Sequence, residues 1–391
     1  MRDWLPKLGL PELIIKGRRL VPIVQGGMGV GVSAHRLASA VARCDAVGTV
    51  ASVDLRQHHA DLMARSKGCR DPESLNKLNM EALDREIKMA LSESNGHGLV
   101  AVNVMKAVDS HAELVRQSCE SGAHAVVMGA GLPLDLPELT ADHPDVARIP
   151  ILSDVRGISL VLKKWMRKHV LPDAIVIEHP RHAGGHLGAP KREDINDRRF
   201  DFDVVLEGVA KLFSELGIER ERIPLICAGG IHRHDQVREL LGQGASGVQL
   251  GTAFAITEES DAHPNFKKVL AEAKREDIVE FMSVAGLPAR GVLTPWLKNY
   301  LRREQHLQSK AKCDESRCTQ GLHCLTACGL RDGLQKFGQF CIDTQLAAAM
   351  RGEVGKGLFF RGAGPTPFGA AIRPVRELIE YLLTGNKPAL A

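Results

Sequence analysis

The sequence predicts an α/β protein, a (β/α)8 TIM barrel with a helical insertion after strand eight. Three observations predict it. Eight short, β-branched, continuously apolar runs recur between residues 21 and 250. Amphipathic stretches lie between most of them. Glycines cluster directly after the runs, where a barrel builds its ligand site.

The runs are residues 21–25, 46–51, 98–104, 123–128, 149–154, 174–178, 224–228 and 247–250. They do not alternate polar with apolar, so they read as parallel strands covered on both faces. The stretches 33–42, 109–121, 159–168, 202–216 and 235–241 carry helical spacing. Strand, helix, strand, repeated, implies right-handed crossovers, and eight such units suggest closure. An open doubly wound sheet is the alternative. Residues 54–95 read as a charged helical connection with an irregular start at His58 and His59. Residues 189–201 read as a solvated charged loop.

After residue 250 the pattern becomes helical and strand-poor, with helical stretches at 266–273 and a basic stretch at 298–312. Residues 371–383 suit an amphipathic helix that returns to close the barrel. The expected domains are therefore a barrel of residues 1–257 and 356–391, and a helical cap of residues 258–355 over its mouth.

The 391 residues are 44% hydrophobic but only 4% aromatic, so the core must be Val, Ile, Leu and Ala. A formal charge of +4 gives no case for nucleic acid or an anionic membrane as partner. The apolar runs are too short to span a bilayer, and Pro6 and the charges around it do not suit a signal peptide. A cytoplasmic location is expected. The nine cysteines then read as free thiols or metal ligands rather than a disulfide framework.

The strand ends carry the candidate chemistry. The first leads into Gly26, Gly27 and Met28, a turn that lets backbone approach a flat or anionic ligand. The third contains Asn103, an amide that must find a protein or ligand partner. Gly129 and Asp154 follow strands four and five, and Asp154 also suits a helix N-cap. The sixth leads into the run Glu178-His179-Pro180-Arg181-His182-Ala183-Gly184-Gly185-His186. Paired glycines open room for a bulky ring, and His186 beside them is the candidate proton acceptor. No carboxylate or cysteine joins the three histidines in a familiar metal spacing, so no metal is expected there. Ala228, Gly229 and Gly230 after strand seven, with Gly251 and Thr252 after strand eight, suit the phosphate cradle of barrel enzymes.

PIVQGGMG, the Asn of VNVM, AGGHLG, CAGGI and GASGVQLGTAF, in that order, resemble the nitronate monooxygenase family, as does the later segment from Val284 to Arg290. The resemblance runs from about Pro22 to Arg290. It implies non-covalent FMN, with its phosphate on Gly229, Gly230, Gly251 and Thr252. Gly26, Gly27, Met28 and Asn103 would contact the ring and ribityl chain, Gly184 and Gly185 would lie against the ring, and His186 would be the base. It further implies oxidation of alkyl nitronates by O2 to carbonyl compounds and nitrite. Gly27 stands where many relatives have proline, and the His-Pro-Arg-His run before the paired glycines also departs from the family pattern.

An NAD(P)H-dependent flavin reductase of quinones or enoyl-thioesters on the same barrel stays open, as does a homodimer. So do a flavin-free, phosphate-binding lyase or isomerase, and a metal or redox sensor built on the cysteines. Cys313, Cys318, Cys324, Cys328 and Cys341 are close in sequence, but in neither a common zinc nor a ferredoxin spacing. Helical spacing would put Cys324 and Cys328 on one face.

Overall fold

The computed structural model describes residues 1–318 and 324–388. Residues 319–323 and 389–391, inside the expected cap and the expected C-terminal return, lie outside the described residues. Eight parallel strands close into a barrel in sequential order: β1 (Ile23–Gln25), β2 (Val47–Ala51), β3 (Leu99–Met105), β4 (Ala125–Gly129), β5 (Ala147–Leu152), β6 (Ile175–Glu178), β7 (Leu225–Ala228) and β8 (Gly247–Leu250). Closure comes where Val248 of β8 registers with Ile23 of β1. Each observed strand overlaps its predicted run, and the open sheet is ruled out.

Alternation inside these uniformly apolar strands decides where the site forms. One set of residues fills the barrel interior: Leu99 and Ala101, Ala125 and Val127, Ala147 and Ile149, Ala174 and Val176, Ile226 and Ala228. The next position of the same parity is Asn103 on β3, Gly129 on β4, Ile151 on β5 and Glu178 on β6, and all four line the mouth cavity. Aliphatic side chains fill the narrow lumen, five of these ten being alanine. An N-terminal hairpin (Leu13–Ile15 with Arg18–Leu20), not anticipated from the sequence, packs Leu13, Ile15 and Leu20 against this interior set.

The other parity packs against the surrounding helices, including the fully buried Val100, Val102, Val126 and Ile177. Helix Val155–Met166 starts at Asp154, whose Oδ1 accepts from the Gly157 amide at 2.8 Å. Helix Val375–Thr384 packs against helices His35–Ala42 and His234–Gly242, the neighbours that an eighth barrel helix must have. Within the 54–95 connection, helix Pro72–Glu93 buries Glu86, which accepts from the His35 amide and Nδ1 at 2.8 Å each. His59 Nε2 lies 3.0 Å from the same carboxylate. His58 Nε2 lies 2.8 Å from the Gly31 carbonyl, so both histidines that marked the irregular start are engaged with protein groups.

Two expectations need correction. The stretch after residue 250 is largely helical, with Pro264–Glu272 and Pro295–Ser309, but it is not without strands. Ile278–Met282 and Pro288–Val292 form an antiparallel hairpin whose second strand pairs with Gly185–His186. The 189–201 segment is not simply solvated, since Ile195 and Phe200 are buried with Ala183, Leu187 and Ala189. Two apolar anchors among eight charged residues were too sparse to show a period. No helix among the described residues is long and apolar enough to cross a membrane.

Candidate active site

A cavity of about 630 Å³ opens at the C-terminal ends of the strands. Every candidate named from the sequence lines it: Gly26, Gly27, Met28, Asn103, Gly129, Asp154, Glu178, Gly184, Gly185, His186, Ala228, Gly229, Gly230, Gly251 and Thr252. They do not all have the same freedom to act. Asp154 is engaged in capping its helix. Asn103 has no hydrogen-bond partner for its side-chain amide among the described residues, so that group is available to a ligand. Gly27 is required by Asn103, because a Cβ there would lie 2.3 Å from Asn103 Cβ. The turn is held from below by buried Gln25, whose Nε2 donates to the Gly26 and Thr49 carbonyls and whose Oε1 accepts from the Thr49 amide.

The β7–β8 rim offers backbone donors that the described protein residues do not use. Among the described residues the amides of Gly229, Gly230 and Thr252 make no hydrogen bond to protein. Beside them stands Arg361, which the sequence reading missed. The residue is 3% exposed and, among the described residues, has no carboxylate partner. It donates instead to the carbonyls of Leu270, Gly362 and Gly364 at 2.9–3.0 Å, and burial lowers its pKa. The Gly362 amide donates to Thr252 Oγ1 at 3.0 Å, which ties this segment to the β8 turn. A buried cation without a counter-ion, beside unpaired amides, suits a phosphate group. The residues present therefore fit a phosphorylated flavin. The glycines of RGAG (361–364) were the signal in the sequence, but no predicted strand preceded them.

Another part of the lining carries His186, with Gly184 packed against the backbone of Arg361 and Gly362. Its strand is the edge of the three-stranded antiparallel sheet, where His186 registers with Ala289 and Gly185 with Arg290. Arg290 is buried and fixes this wall, donating to the carbonyls of Pro180 and Ala183 and to Glu280 Oε1. His186 Nε2 lies 3.0 Å from Ser283 Oγ, which also accepts from the Ala285 amide at 3.2 Å. Burial pushes the His186 pKa down to about 4, so the ring is neutral at ordinary pH. Burial pushes Glu178 up to about 7. His182 also lines the cavity, held down to about 4 by burial and by positive charge nearby. His179 points elsewhere, its Nε2 3.2 Å from Asp201 Oδ1. Ser283 and Arg290 were not recognised as parts of the site, because they lie about a hundred residues beyond His186 in sequence.

The family model described as nitronate monooxygenase matches residues 14–385. A Bacillus subtilis protein named as a probable nitronate monooxygenase is 27% identical over 308 residues, covering 76% of this chain and 81% of that protein. Two solved structures share the fold. A FabK variant from Thermotoga maritima has a TM-score of 0.62 at 20% identity, covering 98% of this chain and 95% of its own. A nitroalkane oxidase from Streptomyces ansochromogenes has a TM-score of 0.60 at 20% identity, covering 93% and 94%. With a closed barrel and a family model that spans nearly the whole chain, this protein belongs to the nitronate monooxygenase family of flavin-dependent oxidoreductases.

Proposed function

We propose that the protein is an FMN-dependent nitronate monooxygenase that converts alkyl nitronates and O2 into carbonyl compounds and nitrite. The observation that carries this reading is that one cavity brings two unlike groups together. Unpaired amides with Arg361 line part of it, and a neutral imidazole lines another part.

FMN would sit with its phosphate on Gly229, Gly230, Gly251 and Thr252, close to Arg361. Its ring would extend toward Gly184 and Gly185, with Gly26, Gly27, Met28 and Asn103 beside the ring and ribityl chain. Gly129, Ala228, Asp154 and Glu178 would complete the wall. Bound flavin supplies the redox chemistry with O2. The chain's own residues bind, orient and move a proton. With its hydrogen on Nε2, His186 donates to Ser283 Oγ and keeps the Nδ1 lone pair free. That nitrogen removes the α-proton of a neutral nitroalkane. Toward a nitronate, which has already lost the proton, the same ring orients the anion.

The test uses the purified protein as isolated. Bound FMN is identified after release, and nitrite is measured from propane-2-nitronate in air without any nicotinamide. Nitrite release supports the reading. Rapid anaerobic bleaching of the flavin by NADH, with no nitrite formed in air, would replace it with a reductase.

A further inference from the structure

Cys318, Cys324, Cys328 and Cys341 line one small cavity in the cap, together with Leu330, Arg331 and Ile342. The barrel's own buried cysteines behave differently. Cys44, Cys119 and Cys227 are dispersed singly through the apolar core, as structural thiols are. All nine cysteines are free of disulfides. Cys313, the remaining member of the run, is exposed and does not border this cavity. The helical turn expected to align Cys324 and Cys328 is absent, and both stand in irregular backbone. Four thiols from three loop segments converge without help from helix periodicity.

Their surroundings suit sulfur ligands. The Arg331 amide donates to Cys328 Sγ at 3.5 Å, and Thr344 Oγ1 donates to Cys341 Sγ at 3.2 Å. Such hydrogen bonds tune cluster sulfurs. The Arg331 guanidinium lines the same cavity, anchored by the Leu325 carbonyl at 3.0 Å and the Asp332 carboxylate at 2.5 Å. Geometry decides between metals. Among the described residues no three His, Cys, Asp or Glu side chains are grouped to hold a single ion. Tetrahedral zinc would need its sulfurs about 2.3 Å from one centre. In a four-iron cluster each cysteine binds a different iron, so the sulfurs ring a cavity without meeting. We propose that Cys318, Cys324, Cys328 and Cys341 bind a [4Fe–4S] cluster. Cys324 and Ile342 also line the large cavity, so the cluster shares a wall with the candidate active site. Its assembly does not depend on what that site oxidises.

The full chain is purified anaerobically and reconstituted with ferrous iron and sulfide, and iron, zinc, acid-labile sulfide and flavin are measured separately. The expected result is about four iron and four sulfide per chain, with a visible band beyond the flavin that dithionite bleaches. The double variant Cys328→Ser, Cys341→Ser should lose iron by roughly fourfold or more, whereas Cys313→Ser should retain it. A chain that takes up no iron, takes up one zinc instead, or keeps its iron in the double variant overturns the proposal. Should that variant fail to fold, alkylation of the reconstituted wild-type protein decides. The four cysteines should be protected until a chelator removes the iron, while Cys313 reacts at once. Alkylation of all five alike before chelation overturns the site.

Discussion

The β7–β8 rim and the His186 wall line one cavity, yet the chain specifies them in opposite ways. The rim is local. Each of its turns follows directly from a strand, and its donors are backbone amides that need only glycine and the right dihedral angles, as at Gly230 with φ +75°. The His186 wall is assembled from a distance. Its histidine comes from the β6 loop, its hydrogen-bond partner Ser283 from the cap hairpin, and its brace Arg290 from the strand paired beside it. Binding a cofactor by backbone leaves a motif. Positioning a base through side chains leaves almost none.

The largest effect should come from the His186 wall. His186→Ala removes the proton acceptor and should lower kcat/KM for a neutral nitroalkane by ~10²–10⁴-fold. Turnover of the preformed nitronate should fall much less, and bound flavin should be unchanged. Steady-state kinetics with the two substrate forms measure the split. Equal losses on both would mean that the ring only orients substrate. The reciprocal experiment belongs to the rim. Arg361→Met keeps much of the side-chain volume and removes the charge. It should weaken flavin binding by ~10–100-fold, the scale of one hydrogen bond to a charged group. Flavin titration of the apoprotein measures this, and an unchanged affinity would remove Arg361 from the phosphate site.

These contrasts explain what was legible beforehand. The barrel was, because eight apolar runs at barrel spacing admit few topologies. The cavity lining was, because strand ends and glycines locate it. The cap hairpin was not. Residues 278–282 read Ile-Val-Glu-Phe-Met and residues 288–292 read Pro-Ala-Arg-Gly-Val. The second has neither alternation nor β-branched density, and a buried Arg290 looks like a surface residue until Pro180 and Ala183 are known to face it. Arg361 was missed for the same reason, since its partners at Leu270 and Gly364 lie in segments with no predicted relation to the rim.

Ser283→Ala probes the link between cap and base. Without the hydroxyl, Nε2–H loses its acceptor, and the tautomer with a free Nδ1 is no longer favoured. The expected loss in kcat is ~2–10-fold, one ordinary hydrogen bond, with little change in KM. Ser283→Thr should restore most of it. The pH profile adds a sign. The base must be neutral, and burial holds its pKa at about 4. The wild-type profile for a nitroalkane should therefore lose activity only as pH falls through about 4. An inflection at the unperturbed value of about 6.5 would mean that the ring is open to water.

The smallest effect is expected at Glu178, which lines the same cavity. Burial raises its pKa to about 7, so it is protonated in mild acid and anionic in mild base. The proposed phosphate is itself an anion, and an ionised Glu178 in the same cavity opposes it. Flavin affinity of the wild-type protein should fall by roughly threefold as pH rises through about 7, a modest charge–charge effect across a cavity. The phosphate has its own ionisation near pH 6, which strengthens its pairing with Arg361 as pH rises. The informative quantity is therefore the ratio of wild-type to Glu178→Gln affinities, in which the phosphate titration cancels. A ratio that declines through about 7 assigns the titration to Glu178. A flat ratio means that Glu178 stays protonated beside the flavin throughout, and the two walls then act independently.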